Sequence, residues 1–462
     1  MSDLPALTSE RLLWATAAIL AYVLFCVGVA VRRALLRRRA RREADALAGG
    51  GEAVLVVYAS QTGFAEDLAW TTAKALQMGE VGARVLSISD LTAEDLAGAK
   101  RALFVASTTG EGDAPDPAAR FVGRVMKAQP DLSGLSYGLL SLGDSSYVQF
   151  CAFGRHLDAW LTERGAAPLF DRVEVDDGDE GALRHWQHQL SAISGVTDAP
   201  DWSRPAYESW RLAERRLLNP GSQGGEAWHV ALEPVEGTAV WAAGDIVEIG
   251  PRRGPDEPAD APAPPHREYS IASVPLDGRI ELIVRTMTRP DGGFGVGSGW
   301  LTKHAKVGGD IDLRIRANRA FHAPEPSRPL ILIGAGTGLA GLRAHLKARA
   351  AAGANRNWLV FGERSAARDY FHQAEIDAWI AGGVLERISL AFSRDQADRI
   401  YVQHRLAEAA DDLRLWVSQG AAIYVCGGIE MGKAVGAALT DILGAQTMAE
   451  LTEDGLYRRD VY

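Results

Sequence analysis

Cysteine is scarce in this chain, with Cys26, Cys151 and Cys426 the only three in 462 residues. They lie far apart and form no CxxC pair, which argues against a disulfide scaffold, a zinc site or an iron–sulfur cluster. Lysine is absent from the first 50 residues, where eight arginines face four acidic residues, a net charge of +4. The whole chain carries −10, so the remainder carries −14. An acidic body of this kind argues against a nucleic-acid partner.

Charged side chains are also missing from residues 12–31, a run of twenty mostly apolar residues. About 20 such residues are needed for a helix to cross a bilayer. Seven arginines follow between residues 32 and 42, and positive charge beside a span stays in the cytoplasm. The alternative, a cleaved signal peptide, would carry its basic residues before the apolar run. The sequence therefore predicts a tail (1–11), a transmembrane helix (12–31) and a basic neck (32–52), with the later domains on the cytoplasmic side.

Short apolar strands alternate with helical stretches in residues 53–194, which predicts a doubly wound parallel sheet. Ligands bind such sheets at the loops that follow the strands. The first of these loops, from Ser60, holds hydroxyls and a glycine at a helix start. It lacks the lysine of a nucleoside-triphosphate loop, so it is either a phosphate cradle or an ordinary capped helix. Two further loops rich in hydroxyls and glycine follow, and the last of them brings the aromatic Tyr147.

The chain beyond a Pro- and Gly-containing linker (195–215) has two further patterns. Short strands in residues 216–322 predict an antiparallel barrel. Its segment Arg267-Glu268-Tyr269-Ser270 suits a flavin dinucleotide, or is a plain barrel strand, and a glycine-rich turn follows at 293–299. Residues 323–462 return to strand and helix, with the glycine cluster 334–341 placed after a strand, as in dinucleotide-binding domains.

The amino-acid sequences of several segments resemble those of the diflavin reductase family, which includes the sulfite reductase flavoprotein subunit and NADPH–haemoprotein reductases. The most similar segments are LGDSSYVQFC at 142–151, SRDQ at 393–396, IYVCG at 423–427 and RDVY at 459–462. The resemblance spans roughly residues 53–462. It implies a flavodoxin-like FMN domain, an FAD barrel and an NADP-binding domain like that of ferredoxin–NADP reductase. The implied cofactors are FMN, FAD and NADPH, with no metal site.

The same resemblance implies roles for individual residues, position by position. The expected FMN ligands are Ser60, Gln61, Thr62, Gly63 and Ala65 for the phosphate, Thr108, Thr109, Gly110 and Gly143 along the flavin, and Tyr147 stacked on it. The expected FAD ligands are Arg267, Tyr269, Ser270, Gly295, Val296, Gly297, Ser298 and Tyr462. The expected NADPH ligands are Gly336, Thr337, Gly338, Ser393, Arg394, Tyr401 and Gln403. Ser270, Cys426, Asp460 and Tyr462 are expected to surround the path of the hydride.

The resemblance implies electron transfer from NADPH to FAD, then to FMN, then to a haem or sirohaem protein at or near the membrane. Two alternatives stay open: a ferric or flavin reductase for small acceptors, and a membrane-bound redox sensor or scaffold without turnover. Members of the family usually carry a helical insert before the Arg-x-Tyr-Ser segment. A loop rich in proline and alanine stands there instead, so we expect a more mobile FMN domain.

Overall fold

The computed structural model describes residues 53–195, 207–252, 266–289 and 292–461. The predicted tail, transmembrane helix and neck lie outside these residues, as do most of the loop that replaces the insert and Tyr462. Within the described part of the chain, no helix is both long and apolar enough to cross a membrane.

The first domain is built on a parallel sheet in the order β2-β1-β3-β4-β5, with β6 paired to β4. Its central strands are buried on both faces, which is why they are continuous apolar runs. The strands are β1 (Val54–Ala59), β2 (Ala83–Ser87), β3 (Arg101–Ser107), β4 (Ser136–Gly143), β5 (Ala167–Pro168) and β6 (Val173–Asp176). The helices are α1 (Phe64–Met78), α2 (Ala93–Gly98), α3 (Ala152–Glu163) and α4 (Glu180–Ser194), with a π-helical segment at Phe121–Met126.

The second domain is an antiparallel sheet in the order β10-β9-β12-β7-β8-β11, with its own apolar core. Its strands are β7 (Glu208–Leu217), β8 (Ala227–Pro234), β9 (Ile246–Gly250), β10 (Arg267–Ser270), β11 (Ile280–Arg285) and β12 (Asp310–Arg316). A short helix, α5 (Val296–Gly299), runs into the π-helical segment Trp300–His304.

The third domain has a parallel sheet in the order β15-β14-β13-β16-β17. Its strands are β13 (Leu330–Ala335), β14 (Asn357–Glu363), β15 (Arg387–Phe392), β16 (Ala422–Gly427) and β17 (Tyr457–Val461). Its helices are α6 (Leu339–Ala351), α7 (Ala366–Asp369), α8 (Gln373–Ala381), α9 (Val402–Glu408), α10 (Ala410–Ser418), α11 (Ile429–Leu443) and α12 (Ala445–Glu453). The carboxyl ends of its strands face the second domain.

One boundary differs from the sequence prediction. The predicted linker extends to residue 215, but Glu208–Leu217 forms β7, which is an inner strand between β12 and β8. The many charged residues of this segment obscure its strand pattern in the sequence. Only Trp210 and Leu212 alternate clearly as buried positions among exposed neighbours. The strand–turn–helix expected at the glycine cluster is confirmed, since β13 leads through a 3₁₀ turn at Gly336–Gly338 into α6.

Candidate functional site

The loop between β1 and α1 has the geometry of an anion cradle. The Gly63 N–H donates to Ser60 Oγ at 2.8 Å, and Gly63 adopts φ +92° at the start of the helix. The helix has no side-chain cap there, so its first amides remain available to a phosphate. Of the other predicted phosphate ligands, Ala65 lies in the first turn of α1, and Thr62 accepts hydrogen bonds from Arg316 of the second domain through its carbonyl and hydroxyl oxygens.

The two remaining loops of the first domain meet at the same sheet edge. The Thr109 and Asp113 amides each donate to the other residue's carbonyl at 2.9 Å, which closes the turn that contains Gly110. The Thr108 hydroxyl beside it is buried without a hydrogen-bond partner in this structure. A buried hydroxyl with no partner costs free energy, so an acceptor or donor on a bound flavin fits this position. Gly143 and Tyr147 lie on the facing loop, where burial raises the pKa of the Tyr147 phenol.

A cavity of about 1080 Å³ lies between the second and third domains. Small-molecule sites span about 300–1,000 Å³, so this one has room for a dinucleotide and part of a second. Most of the residues predicted to hold FAD and NADPH line it. They are Arg267, Tyr269, Ser270, Gly295, Val296, Gly297, Ser298, Gly336, Thr337, Ser393, Arg394, Tyr401, Gln403 and Asp460.

The glycine-rich turn is placed against β10 by a contact that only glycine allows. A Cβ on Gly297 would lie 2.6 Å from the Tyr269 hydroxyl oxygen and 2.7 Å from the Arg267 Cβ. The turn therefore packs directly on the strand that carries the cation and the aromatic ring. This brings the turn's backbone amides and the Arg267 guanidinium to one wall of the cavity, an arrangement that fits a pyrophosphate.

A buried polar group occupies the junction of the two domains. The Ser270 hydroxyl donates to Asp460 Oδ2 at 2.6 Å, and the Cys426 thiol lies 3.6 Å from the same oxygen. Burial raises the pKa of the Asp460 carboxyl and of the Cys426 thiol. Cys426 is fully buried, so the thiol stays protonated and acts as a neighbour rather than a nucleophile. Of these three residues, Asp460 and Ser270 line the cavity.

At the other end of the cavity, the loop after β15 presents a cation and hydroxyls. The Ser393 and Arg394 amides are held by the Glu363 and Arg364 carbonyls at 2.9 and 2.8 Å. Tyr401 is exposed and Gln403 lies on the first turn of α9. An exposed guanidinium on a fixed backbone, with hydroxyl donors beside it, suits a phosphate dianion.

Among the described residues predicted to hold FAD or NADPH or to surround the hydride path, two do not line the cavity. Gly338 lies behind the glycine turn against the Cys426 carbonyl, and Cys426 lies behind Asp460. Sequence reasoning also missed cavity residues, notably Arg285, Glu363 and Arg364. Glu363 and Arg364 come at the end of β14, and the rule that ligands meet strand carboxyl ends could have found them.

The side chain of Gln61, which the resemblance implies is a ligand of the FMN phosphate, makes hydrogen bonds to residues outside its own loop. Its amide nitrogen donates to the Arg459 carbonyl at 2.6 Å and to Asp116 Oδ2 at 3.2 Å, and its carbonyl oxygen accepts from the Asp116 amide at 2.8 Å. In this structure both ends of the side chain are used at the boundary with the third domain.

Comparison with known proteins agrees with the geometry. Residues 56–186 match the family described as Flavodoxin, and residues 332–436 match the family described as Oxidoreductase NAD-binding domain. The sulfite reductase [NADPH] flavoprotein alpha-component of Vibrio cholerae is 26% identical over 534 aligned residues, covering 88% of this chain and 87% of the relative. The same component of Neisseria meningitidis serogroup B is 28% identical over 541 aligned residues, covering 88% and 89%.

This chain is an oxidoreductase similar to the sulfite reductase flavoprotein. Its cofactors are FMN, FAD and NADPH. The two family matches and the relatives support a diflavin reductase.

Proposed function

We propose that this diflavin reductase passes electrons from NADPH through FAD and FMN to a separate haem or sirohaem protein. The observation that carries the proposal is the single cavity that joins the FAD-side wall at Arg267, the Ser270–Asp460 pair and the Arg394 loop. The cavity also reaches Thr62 in the loop of the flavodoxin-like domain. Nicotinamide supplies a hydride, and flavins accept it and release single electrons.

The chain's own residues orient these groups. Arg394 and Ser393 would hold the 2′-phosphate end of the nicotinamide dinucleotide, and the backbone at Gly336 and Thr337 would receive its pyrophosphate. Ser270 and Asp460 lie between that turn and the FAD wall. Their hydrogen bond orients the serine hydroxyl at the point where the two dinucleotides would meet.

Two further features belong to the proposal. Residues 12–31 anchor the protein in the membrane with the described domains in the cytoplasm, supported by the uncharged run and the arginines that follow it. The chain also lacks the family's helical insert. In support, the alignments extend over 534 and 541 residues although this chain has 462, so the relatives contain segments that it lacks.

Flavin content and acceptor reduction test the electron path. The purified full chain is expected to release FMN and FAD in equal amounts on denaturation and to reduce cytochrome c with NADPH. Removal of FMN alone is expected to abolish cytochrome c reduction while ferricyanide reduction continues. A chain holding only one kind of flavin would contradict the proposal. If the protein reduced a small ferric chelate at least as fast as any protein acceptor, a reductase for small acceptors would be favoured.

A further inference from the structure

An ion pair joins the second and third domains on the wall of the large cavity. Arg285 is the last residue of β11, and its guanidinium Nη2 donates to the carboxylate of Glu363. Glu363 is the last residue of β14. Both residues line the cavity proposed to hold the coenzyme. The pair therefore places one negative and one positive charge inside that site.

The end of β14 is a position from which a carboxylate can select between coenzymes. Strand β13 leads into the glycine turn at Gly336–Gly338, and β14 is the next strand in the chain, paired with β13 in parallel. In dinucleotide-binding folds, an acidic residue about this far along the chain hydrogen-bonds the ribose 2′-hydroxyl of NAD. NADPH carries a phosphate dianion on that hydroxyl, which an unpaired carboxylate would repel. An unpaired Glu363 would therefore favour NADH.

The Glu363 carboxylate lies against the glycine turn, beside the residues proposed to meet the 2′-phosphate. A Cβ on Gly336 would lie 3.4 Å from Glu363 Oε1 and 3.5 Å from Arg285 Nη2. The Ser393 amide donates to the Glu363 carbonyl at 2.9 Å, and Arg394 follows Ser393 in the chain. The site thus contains a carboxylate that suits a ribose hydroxyl next to a guanidinium that suits a phosphate.

The surroundings of Arg285 hold its guanidinium against Glu363. Arg285 Nη1 donates to the Gly225 carbonyl at 2.7 Å, and the guanidinium carbon lies 5.9 Å from the centroid of the Phe371 ring. The second carboxylate oxygen, Glu363 Oε2, accepts from the Arg364 amide at 2.7 Å. The Glu363 side chain is 5% exposed, so solvent screens its charge weakly. Contact with Arg285 therefore neutralises a carboxylate that water would leave strongly negative.

We propose that Glu363 is a specificity-determining residue for the coenzyme and that Arg285 sets the preference for NADPH by neutralising its carboxylate. This inference rests on the coenzyme placement in the proposed function. With the pair intact, Ser393 and Arg394 meet the 2′-phosphate without an opposing charge. With the pair broken, the carboxylate repels the 2′-phosphate and offers an acceptor to the ribose hydroxyl of NADH.

The test compares the affinities of the full chain, with its flavins bound, for 2′,5′-ADP and 5′-AMP. These probes differ only in the 2′-phosphate, and calorimetry measures their binding without electron transfer, the weaker probe by displacement of the tighter one. In Arg285→Met, the ratio of the two affinities is expected to fall about tenfold, because the uncompensated carboxylate faces a phosphate dianion. Any contact of Arg285 with the phosphate that both probes share cancels in this ratio.

Two further variants separate the charge of Glu363 from general damage to the site. Glu363→Gln is expected to raise the ratio about threefold, because it removes a negative charge near the 2′-phosphate and leaves Arg285 in place. The double variant R285M/E363Q lacks both charges, and its ratio should return to within about twofold of the wild-type value. Steady-state KM values for NADPH and NADH should change in the same directions as the affinities.

The matched control removes an arginine from another ion pair of the same sheet. Arg356 pairs with Glu386 at 3.2 Å at the amino ends of β14 and β15, away from the cavity. Both side chains of this pair are exposed, so Arg356→Met is expected to leave the affinity ratio unchanged.

An unchanged ratio in Arg285→Met or in Glu363→Gln would overturn the inference, as would a fall that persists in the double variant. If Arg285→Met did not fold, Glu363→Gln would decide by itself. A wild type that binds 2′,5′-ADP no more tightly than 5′-AMP would contradict the proposed placement of the 2′-phosphate at Arg394, and the inference with it.

Discussion

At the scale of single residues, the proposed coenzyme site contains a cation whose neighbours fix its backbone but leave its side chain exposed. Arg394 follows β15 and is exposed, and the carbonyl of Arg364 holds its amide. The guanidinium is thus free to meet a phosphate while its attachment point stays in place. Discrimination between NADPH and NADH should reside here, since the two coenzymes differ only in the 2′-phosphate.

We predict that Arg394→Ala raises the KM for NADPH about tenfold to a hundredfold and changes that for NADH less than about twofold. A hydrogen bond to a charged group contributes roughly 1.5–3 kcal/mol, and every 1.4 kcal/mol is about tenfold. Steady-state kinetics with both coenzymes measure this. Arg399→Ala, on the same loop but outside the cavity lining, serves as the control. An equal rise in KM for NADPH and NADH would contradict the assignment of Arg394 to the 2′-phosphate.

Gly297 gives a second prediction at this scale. Gly297→Ala inserts a methyl group against Tyr269 and Arg267, and overpacking costs typically about 1–3 kcal/mol. The turn should move away from β10, so the purified variant should contain less FAD per chain and unchanged FMN. Flavin extraction followed by chromatography measures both. Gly134→Ala is the control, because a Cβ there meets nothing within 4 Å. Full FAD occupancy in G297A would show that FAD binding does not require the close approach of the glycine-rich turn to β10.

At the scale of elements, α6 ties the antiparallel sheet to the third domain through buried polar side chains. Arg343 donates to the Ala272 carbonyl at 2.7 Å and to Glu281 at 2.6 Å, so the helix is bound to β11 and its neighbouring turn. His345 lies on the same helix between the rings of Phe321 and Tyr424, each 5.2 Å away between centroids. Because α6 starts at the glycine turn, these contacts also place the nucleotide-binding backbone.

Three buried histidines in this region are expected to make the folded state less stable in acid. Burial lowers the pKa of His345 to about 3, of His372 to about 3 and of His229 to about 4, from 6.5. The unfolded chain then binds protons that the folded chain does not, so their contribution to stability is complete above pH 6.5 and is lost as pH falls toward 4. Each such histidine gives a slope of about 1.4 kcal/mol per pH unit within this range.

We predict that His345→Leu reduces this slope by about 1.4 kcal/mol per pH unit, whatever it does to stability at pH 7. Urea unfolding of the third domain, followed at several pH values between 7 and 5, gives the slope. His188→Gln, which changes an exposed histidine on α4, should leave the slope as it is. An unchanged slope in the His345 variant would mean that His345 is not a source of the acid sensitivity.

At the scale of the whole molecule, an acidic body of three domains follows a basic neck. The first 50 residues carry +4 and the rest −14. The N-terminal segment that contains the proposed anchor therefore has a net charge of opposite sign to that of the rest of the chain. The described residues that line the large cavity run from Thr62 to Val461.

We predict that removal of residues 1–52 transfers the protein from membranes to the soluble fraction and leaves NADPH-dependent cytochrome c reduction within about twofold. The described domains supply the cavity by themselves, and the anchor supplies the apolar run that a bilayer binds. Carbonate extraction and fractionation of both forms measure this. Full-length protein released by carbonate would contradict the anchor, whereas loss of activity on truncation would show that the neck takes part in the reaction.

The sequence alone determined the local elements that carry the cofactor motifs. The strand–turn–helix at Gly336–Gly338 and the glycine at the start of α1 follow from backbone rules that act over a few residues. The strand at Ile280–Arg285 has the bounds that its apolar pattern predicts. The resemblance to diflavin reductases supplied the residue roles, and the cavity then brought most of the FAD and NADPH residues together.

Only the tertiary structure decided how distant segments meet. Strand β7 is charged on its exposed side and became recognisable only through pairing with β8 and β12. The resemblance implies that Gln61 is a phosphate ligand, and the structure adds hydrogen-bond partners, Asp116 and Arg459, that lie 55 and 398 residues away in sequence. Local propensity contains no information about such pairs, because the free energy of an ion pair depends on burial and geometry that exist only after the domains have packed.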